Sequence, residues 1–266
     1  MKIGFIGGGN MGGAIIGGIV NAEITDKTAI VVSDKSEAVL SKISNEYGVT
    51  VTPDNKTAAV SDILFLCIKP QFVYSVIDEI KDSIGKNTVI VSIVAGQSIE
   101  ALSEAFGKSV KLVRVMPNTP ALVGEGMTAI APNENVSEEE TETVMNIFCS
   151  LGKCEIVPEN LMDAVTAVSG SSPAYVFMLI ETMADAAVIG GMPRNQAYVF
   201  AAQAVLGSAK MVLETGKHPG ELKDMVCSPA GTTIDAVAAL EKNGFRNSII
   251  EAMRVCIEKS KQLGMK

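Results

Sequence analysis

The chain has 266 residues, which is longer than a typical single domain, so the sequence predicts two domains. Apolar residues make up 47% of the chain and charged residues 20%, a composition that excludes an intrinsically disordered protein. The formal net charge of −8 argues against a protein that binds nucleic acid or an anionic membrane, because such proteins carry an excess of basic residues.

The five cysteines are scattered along the chain, and none of them forms a CxxC pair. Cys149 and Cys154 are the closest two, but no histidine cluster accompanies them, so we expect no metal site. Reduced thiols are typical of a cytoplasmic protein, and the sequence predicts that location.

The N-terminal stretch from Ile3 to Ala22 carries no charge and follows Lys2, as in a signal peptide. Eight of the eighteen residues from Ile3 to Val20 are glycine, however, and glycine contributes little to membrane transfer. No other segment is expected to supply the roughly 18 apolar residues that a membrane span needs. We therefore expect a soluble protein without a targeting segment.

The first half of the chain alternates short apolar runs with amphipathic segments. The runs predict buried strands at 2–6, 29–33, 62–68, 88–93 and 110–116. Helices are predicted at 37–47, after Ser98, and after Ser137, which begins a capping box with Glu140. Strand–helix alternation is typical of a doubly wound parallel sheet, so residues 1–157 are predicted to form an α/β domain of the Rossmann type.

The second half, residues 158–266, is predicted to be an all-helical domain. Ala- and Met-rich segments interrupted by Gly and Pro predict helices at 173–189, 193–214, 232–242 and 247–263. The segment 174–187 is apolar nearly all round, and such a helix is buried on both sides. We therefore expect this domain to contact a second subunit.

A glycine-rich turn follows the first predicted strand. Gly7-Gly8-Gly9-Asn10-Met11-Gly12 fits G-x-G-x-x-G between a strand and a helix, the context in which a dinucleotide pyrophosphate lies on a helix N-terminus. The second strand ends at Ser33, Asp34 and Lys35. An Asp there favours the ribose hydroxyls of NAD, whereas Ser33 and Lys35 favour the 2′-phosphate of NADP. The sequence leaves both coenzymes open, with a mild preference for NADP.

Two further motifs lie where ligands are expected. Cys67-Ile68-Lys69-Pro70 follows the third predicted strand, at the edge of the sheet where coenzymes bind, although Cys67 also fits a core thiol and Lys69 a solvated charge.

Ser228 to Ile234 (SPAGTTI) places a tight turn before a helix, whose free N–H groups suit a small carboxylate or an ordinary N-cap. The segment from Val168 to Tyr175 (VSGSSPAY) reads as a helix junction with Pro173 in the first turn.

Taken together, these blocks resemble the pyrroline-5-carboxylate reductases, which make L-proline in the last step of its biosynthesis. The resemblance spans nearly the whole chain and is carried by GFIGGGNMGGAI, LFLCIKPQ, SIVAG, RVMPNTP, DAVTAVSGSSPAYVF, HPGELKDMV, SPAGTTI and LEKNGFR. SPAGTTI is the most specific block, whereas many families share the glycine-rich turn. The resemblance implies a Rossmann domain, a helical dimerisation domain and possible assembly of dimers into a ring.

The resemblance also implies roles for individual residues. Dinucleotide contacts are implied at Gly7, Gly9, Asn10, Met11, Gly12, Ser33, Asp34, Lys35, Asn55, Cys67, Ile68, Lys69, Pro70 and Ala95. Substrate contacts are implied at Glu159, Met225, Gly231, Thr232 and Thr233. Thr233 is also the implied proton donor to the ring nitrogen, and no metal is implied.

Three positions depart from the family pattern. Ser172 and Ala230 stand where the family has glycine, and Met225 stands where relatives can have a polar residue. Ala230 is expected to leave the turn unchanged only if its φ is negative.

Two other functions are alternatives to reduction of an imine. A hydroxy-acid dehydrogenase would need a Lys or His acid in the helical domain, and Lys210, the nearest candidate, lacks a supporting motif. A non-enzymatic regulator that responds to NADP would not need the intact SPAGTTI. His218, the single histidine, lies in a Lys-His-Pro-Gly turn and is expected to be solvated. An imine substrate supplies its own basic nitrogen, so its reduction does not need a histidine as general acid. Such a substrate is compatible with a chain that has a single histidine.

Overall fold

The computed structural model describes residues 1–264, which form eight β-strands and twelve α-helices. The strands are β1 (Ile3–Ile6), β2 (Ile30–Ser33), β3 (Thr50–Thr52), β4 (Ile63–Leu66), β5 (Val89–Ser92), β6 (Lys111–Met116), β7 (Gly126–Pro132) and β8 (Gly152–Ile156). The helices are α1 (Asn10–Asn21), α2 (Glu37–Tyr47), α3 (Asn55–Ala59), α4 (Val73–Ile80), α5 (Ile99–Phe106), α6 (Glu138–Cys149), α7 (Met162–Val165), α8 (Ser172–Ile189), α9 (Arg194–Thr215), α10 (Pro219–Val226), α11 (Thr232–Lys242) and α12 (Phe245–Gly264).

All eight strands form one sheet in the order β3-β2-β1-β4-β5-β6-β7-β8. Neighbouring strands are parallel except β6 and β7, which pair antiparallel. The chain moves outward from β1 to β3 and then returns to β4 on the other side, so the order reverses between β1 and β4. This confirms the predicted doubly wound sheet, and the carboxyl ends of β1 and β4 mark the switch point where ligands bind in such folds.

The core lies on both faces of this sheet, because successive strand residues point to opposite sides. Phe5 and Phe65 are fully buried on one face and stack with ring centroids 4.6 Å apart. Ile6 and Leu66, one position further along β1 and β4, belong to a second cluster with α4 and α5 on the other face.

Side-chain caps begin the helices where the sequence predicts them. The Ser98 hydroxyl accepts a hydrogen bond from the Ala101 N–H at the start of α5. Ser137 and Glu140 form the predicted reciprocal capping box at the start of α6. Helix α2 has the predicted bounds, and its cap is Ser36.

The chain divides into two compact units. Unit 1 comprises Met1–Ser171 together with the C-terminal segment that begins at Cys256, and unit 2 is Ser172–Val255. The domain boundary predicted from the sequence, after residue 157, stays a prediction. In unit 2, α8 and α9 pack through the buried Ala184, Ala197 and Ala201.

One helical stretch, Glu159–Ile189, is long and apolar enough to cross a membrane by length and composition. The expectation that no such segment exists outside the N-terminal stretch is therefore wrong. Only 11% of its most apolar window is buried, so a single copy of the chain leaves this apolar surface uncovered. The same property is expected of a helix that packs against a second subunit.

Candidate coenzyme and substrate site

The glycine-rich turn between β1 and α1 has room only for glycine at two of its positions. Gly7 has φ +101°, and a Cβ there would lie 2.3 Å from the Cys67 carbonyl oxygen. A Cβ at Gly12 would lie 2.4 Å from the Gly7 carbonyl oxygen. A Cβ at Gly9 would meet nothing within 4 Å. Gly7 and Gly12 therefore allow close backbone packing, and Gly9 leaves open space above the turn.

The N-terminus of α1 presents backbone N–H groups to that space. Gly9 occupies the N-cap position and has no side chain to accept from these groups. The first N–H groups of a helix have no partner within the helix, so those of Asn10, Met11 and Gly12 are available to an anion. The helix dipole adds to the attraction.

A cavity of about 330 Å³ opens beside this turn. Its lining residues are Ile6, Gly7, Gly9, Ser33, Asp34, Lys35, Asn55, Cys67, Ile68, Lys69, Phe72 and Val76. Nine of these are among the residues for which the family resemblance implies dinucleotide contacts. The other three, Ile6, Phe72 and Val76, are apolar residues that the sequence analysis did not single out.

Asp34 joins the end of β2 to the glycine-rich turn. One carboxylate oxygen accepts a hydrogen bond from the Gly8 N–H at 2.9 Å, and the other accepts from the Ser36 N–H at 2.9 Å. Lys35 beside it is exposed. The Asp34 carboxylate is therefore fixed in place, and Lys35 is an exposed positive charge at this edge of the cavity.

Ser33 belongs to a buried chain of polar groups. Its hydroxyl lies 2.9 Å from the Asn55 Oδ1 and 3.2 Å from the Phe5 carbonyl oxygen, both acceptors, and Ser33 is fully buried. The Asn55 amide in turn donates to the Glu79 Oε2 at 2.9 Å. This geometry does not favour the expectation that the Ser33 hydroxyl holds a 2′-phosphate, because its proton already has an acceptor inside the protein.

The remaining predicted coenzyme residues follow β4 and β5. Cys67 lines the cavity, and burial raises the pKa of its thiol, so the thiol is neutral. Lys69 is exposed and precedes a short 3₁₀ turn that begins at Pro70. Pro70 and Ala95 do not line the cavity; Ala95 lies in a turn with Gly96 just beyond the carboxyl end of β5.

Glu159, an implied substrate residue, already has two partners in unit 1. Its Oε1 accepts from the Ile99 N–H at 2.6 Å and from the Arg114 guanidinium at 3.1 Å. The Arg114 side chain is only 9% exposed, and its Nε is buried without a partner among the described residues. Glu159 therefore neutralises a buried charge and positions the start of α5, which leaves its Oε2 for a ligand.

In unit 2, the turn before α11 is built on Ala230. The Gly231 N–H donates to the Ser228 carbonyl oxygen at 3.0 Å, which closes a four-residue turn. Ala230 has φ +57°, in the left-handed region that favours glycine. The condition set by the sequence analysis, a negative φ, is therefore not met. The turn forms with a strained alanine instead of the family's glycine.

The start of α11 is open at the backbone. Gly231 is the N-cap and supplies no side-chain acceptor to the helix. A Cβ there would lie 2.3 Å from the Ser228 Oγ, so glycine lets the turn fold back on itself. Thr233 is half-buried, and its hydroxyl makes no hydrogen bond within residues 1–264. The arrangement offers an anion site on the N–H groups with a free hydroxyl beside it.

Comparison with known proteins identifies the family. A model described as pyrroline-5-carboxylate reductase dimerisation matches residues 159–263, and one described as NADP oxidoreductase, coenzyme F420-dependent, matches residues 2–96. A curated pyrroline-5-carboxylate reductase from Escherichia coli (strain K12) is 52% identical over 263 residues, 98% of each chain. The chain belongs to the pyrroline-5-carboxylate reductase family.

Two further comparisons agree with that assignment. A pyrroline-5-carboxylate reductase from Methanosarcina acetivorans is 46% identical and covers 100% of this chain and 98% of its own. The crystal structure of Plasmodium falciparum pyrroline carboxylate reductase with NADP bound superimposes with a TM-score of 0.91, at 35% identity, covering 99% of this chain and 98% of that one. This pyrroline-5-carboxylate reductase family member is thus an NADP(H)-dependent oxidoreductase, and its dimerisation segment begins at 159.

The side chains that an alternative dehydrogenase mechanism would use are engaged elsewhere in this family member. His218 is the exposed N-cap of α10, and its Nδ1 accepts a hydrogen bond from the Gly220 N–H at 3.0 Å. Lys210 is exposed and lies 3.5 Å from the Glu214 carboxylate. Neither residue is in the turn before α11.

Proposed function

We propose that the protein reduces 1-pyrroline-5-carboxylate to L-proline with a hydride from NADPH, as a homo-oligomeric enzyme of the cytoplasm. The observation that carries this proposal is the uncapped start of α11 at Gly231, with the free hydroxyl of Thr233 beside it. Family membership over 98% of the chain makes proline biosynthesis its pathway.

The residues of unit 1 suit the coenzyme. When bound, NADPH supplies the hydride. The open space over Gly9 and the free N–H groups at the start of α1 fit the pyrophosphate. Lys35 and Lys69 line the same cavity and add positive charge for phosphate groups in a chain whose overall charge is negative.

The substrate's carboxylate fits the start of α11. The N–H groups of Thr232, Thr233 and Ile234 have no partners within the helix, and the helix dipole attracts a negative charge there. Gly231 allows close approach because it adds no side chain to the turn. Fixing the carboxylate restricts the orientation of the ring and of its C=N carbon, which lowers the entropic cost of reaching a reactive geometry.

Thr233 supplies the proton-donating contact to the ring nitrogen. An imine nitrogen is far more basic than a ketone oxygen, so a hydroxyl with water behind it suffices and no histidine is required. This agrees with the engagement of His218 as a helix cap. Glu159 stays a proposed substrate contact through its Oε2, because both of its hydrogen bonds use Oε1. Met225, which is 62% exposed, stays another.

The test is consumption of NADPH with 1-pyrroline-5-carboxylate. We expect turnover with the natural chain, a loss of at least about ten-fold in kcat for Thr233→Val, and substantial recovery for Thr233→Ser, because only valine lacks the hydroxyl. The affinity for NADPH, measured by fluorescence titration, is expected to be the same in all three proteins.

Three outcomes would contradict different parts of the proposal. No turnover with either NADPH or NADH removes the reductase activity. Reverse oxidation of hydroxy acids in its place supports the dehydrogenase alternative. Equal kcat for Thr233→Val and the natural chain removes Thr233 from the mechanism while leaving the activity assigned.

A further inference from the structure

Two cysteines outside the coenzyme and substrate residues lie in contact. Cys149 is the last residue of α6, and Cys154 lies in the middle of β8. Their sulfur atoms are 2.8 Å apart, and both are free thiols. A C-x₄-C spacing by itself predicts neither a metal site nor a redox motif, so the sequence does not indicate this contact.

The turn between the two cysteines is constrained at three of its four residues. The Ser150 hydroxyl donates to the Ile147 carbonyl oxygen at 2.6 Å, and Leu151 is buried. Gly152 has φ +141°, and a Cβ there would lie 2.2 Å from the Gly126 carbonyl oxygen. The pair is therefore brought together by a turn that has little freedom to open.

The two thiols differ in environment. Cys149 is exposed, and Cys154 is half-buried. Burial, together with the contact to Cys149, raises the pKa of the Cys154 thiol to about 12. The Cys154 thiol also donates to the Met145 carbonyl oxygen at 3.5 Å. Cys149 is accordingly the thiol that a reagent in solution reaches first. Cys154 is placed to attack the sulfur of Cys149 once that reagent is attached to it.

We propose that Cys149 and Cys154 form a reversible thiol–disulfide modification site whose oxidant is a low-molecular-weight disulfide of the glutathione disulfide type. The two sulfurs need to approach by less than 1 Å to reach the roughly 2.05 Å of a disulfide bond. Formation of this disulfide requires neither a metal nor a contact with the coenzyme cavity.

The exchange takes two steps. The Cys149 thiolate attacks one sulfur of glutathione disulfide, so that a Cys149–glutathione bond forms and one glutathione thiolate leaves and takes up a proton. Cys154 then loses its proton to solvent and attacks the Cys149 sulfur, which releases the second glutathione. Two protein thiols are oxidised to one disulfide, and one glutathione disulfide is reduced to two glutathione molecules.

The experiment uses the full chain, reduced with dithiothreitol, freed of the reductant and incubated with glutathione disulfide. Free thiols are then alkylated under denaturing conditions, and peptides are analysed by mass spectrometry without reduction. We expect the thiol count to fall from five to three, with a peptide in which Cys149 and Cys154 are joined within one chain. Dithiothreitol is expected to restore all five thiols.

Variants separate this site from general oxidation. Cys149→Ser and Cys149→Ala, both at an exposed position, are expected to abolish the loss of two thiols, whereas Cys256→Ser leaves it intact. Cys154→Ser is expected to accumulate the mixed disulfide of Cys149 with glutathione, because the second step is missing. The proposal is overturned if the natural chain keeps both thiols, if glutathione stays on Cys149 in the natural chain, or if bridges form equally in Cys149→Ser.

Discussion

Unit 1 and unit 2 differ in where their apolar side chains lie. In unit 1 the central strands of the sheet are fully covered: Ile3, Leu64 and Val91, in β1, β4 and β5, are 0% exposed. In unit 2 the buried apolar cluster of α8 and α9 contains only alanines, while Phe177 and Phe200 are 63% and 65% exposed. Unit 1 therefore completes its core within one chain, and unit 2 exposes enough apolar surface that a second copy is needed to cover it.

Helices α4 and α8 show the same difference in the burial of apolar side chains. Helix α4 in unit 1 buries Val73, Val76, Ile77 and Ile80 on one face, as a surface helix of a globular domain does. Helix α8 in unit 2 has large apolar residues on all sides and buries only its Pro173 and Ala184. The match of this region to a family model for dimerisation accounts for the exposed remainder.

The largest effect is expected from charges placed on the exposed face of unit 2. Phe177→Glu and Phe200→Glu each introduce two carboxylates per dimer into apolar surroundings. We expect the dimer to weaken by about a thousand-fold or more, since two lost phenylalanines are worth roughly 3–6 kcal/mol before the charge is counted. Analytical ultracentrifugation across protein concentrations measures the change.

Val60→Glu is the matched control, because Val60 is 57% exposed in unit 1. It is expected to leave the association unchanged. If both phenylalanine variants remain dimeric at the concentrations of the natural chain, the distinction between a self-sufficient and a partner-dependent unit fails.

A second prediction tests how tightly unit 1 is packed at the coenzyme turn. Gly7→Ala places a methyl group 2.3 Å from the Cys67 carbonyl oxygen at φ +101°. We expect it to destabilise the protein by about 2–3 kcal/mol. Gly9→Ala points into open space, so it is expected to keep the natural Tm and to weaken NADPH binding, because the new methyl group occupies room above the turn.

Thermal unfolding and NADPH titration of both variants separate the two effects. Equal loss of Tm in the two variants would contradict the assignment of Gly7 to packing and of Gly9 to coenzyme approach.

The smallest expected effect concerns the turn in unit 2. Ala230→Gly removes the left-handed strain at φ +57°, and we expect about 0.5–1 kcal/mol of added stability after the entropy of glycine is subtracted. Ala238→Gly, in the exposed interior of α11, is the control and should cost about 1 kcal/mol. Urea denaturation distinguishes them, and destabilisation by both variants would show that the turn is unstrained.

The sequence predicted the elements that carry a strong periodic or capping signal. Helices α2 and α11 have the predicted bounds, and the capping box at Ser137 is present. It did not predict β3, β7 and β8. Strand β3 has three residues, and β8 alternates exposed and half-buried residues from a glycine that reads as a helix stop. The antiparallel pairing of β7 is set by tertiary contacts that leave no local pattern.

The candidate site was predicted through its backbone more than through its side chains. Glycines and strand ends indicated most of the residues that line the candidate cavity, because turns and helix starts have local sequence rules. The side-chain partners did not follow from sequence: Ser33 turns inward to Asn55, and Glu159 pairs with Arg114 forty-five positions away. The contact of Cys149 with Cys154 likewise depends on how α6 meets β8.

The two hydrogen bonds of Asp34 have a consequence for redesign of coenzyme preference. The carboxylate for which the family resemblance implies a coenzyme contact also accepts from the Gly8 and Ser36 N–H groups. A substitution that removes its negative charge therefore also removes an acceptor from the phosphate turn. If Asp34 contacts the ribose as the family resemblance implies, a variant that changes coenzyme choice at this position also needs a substitute acceptor for one of these N–H groups.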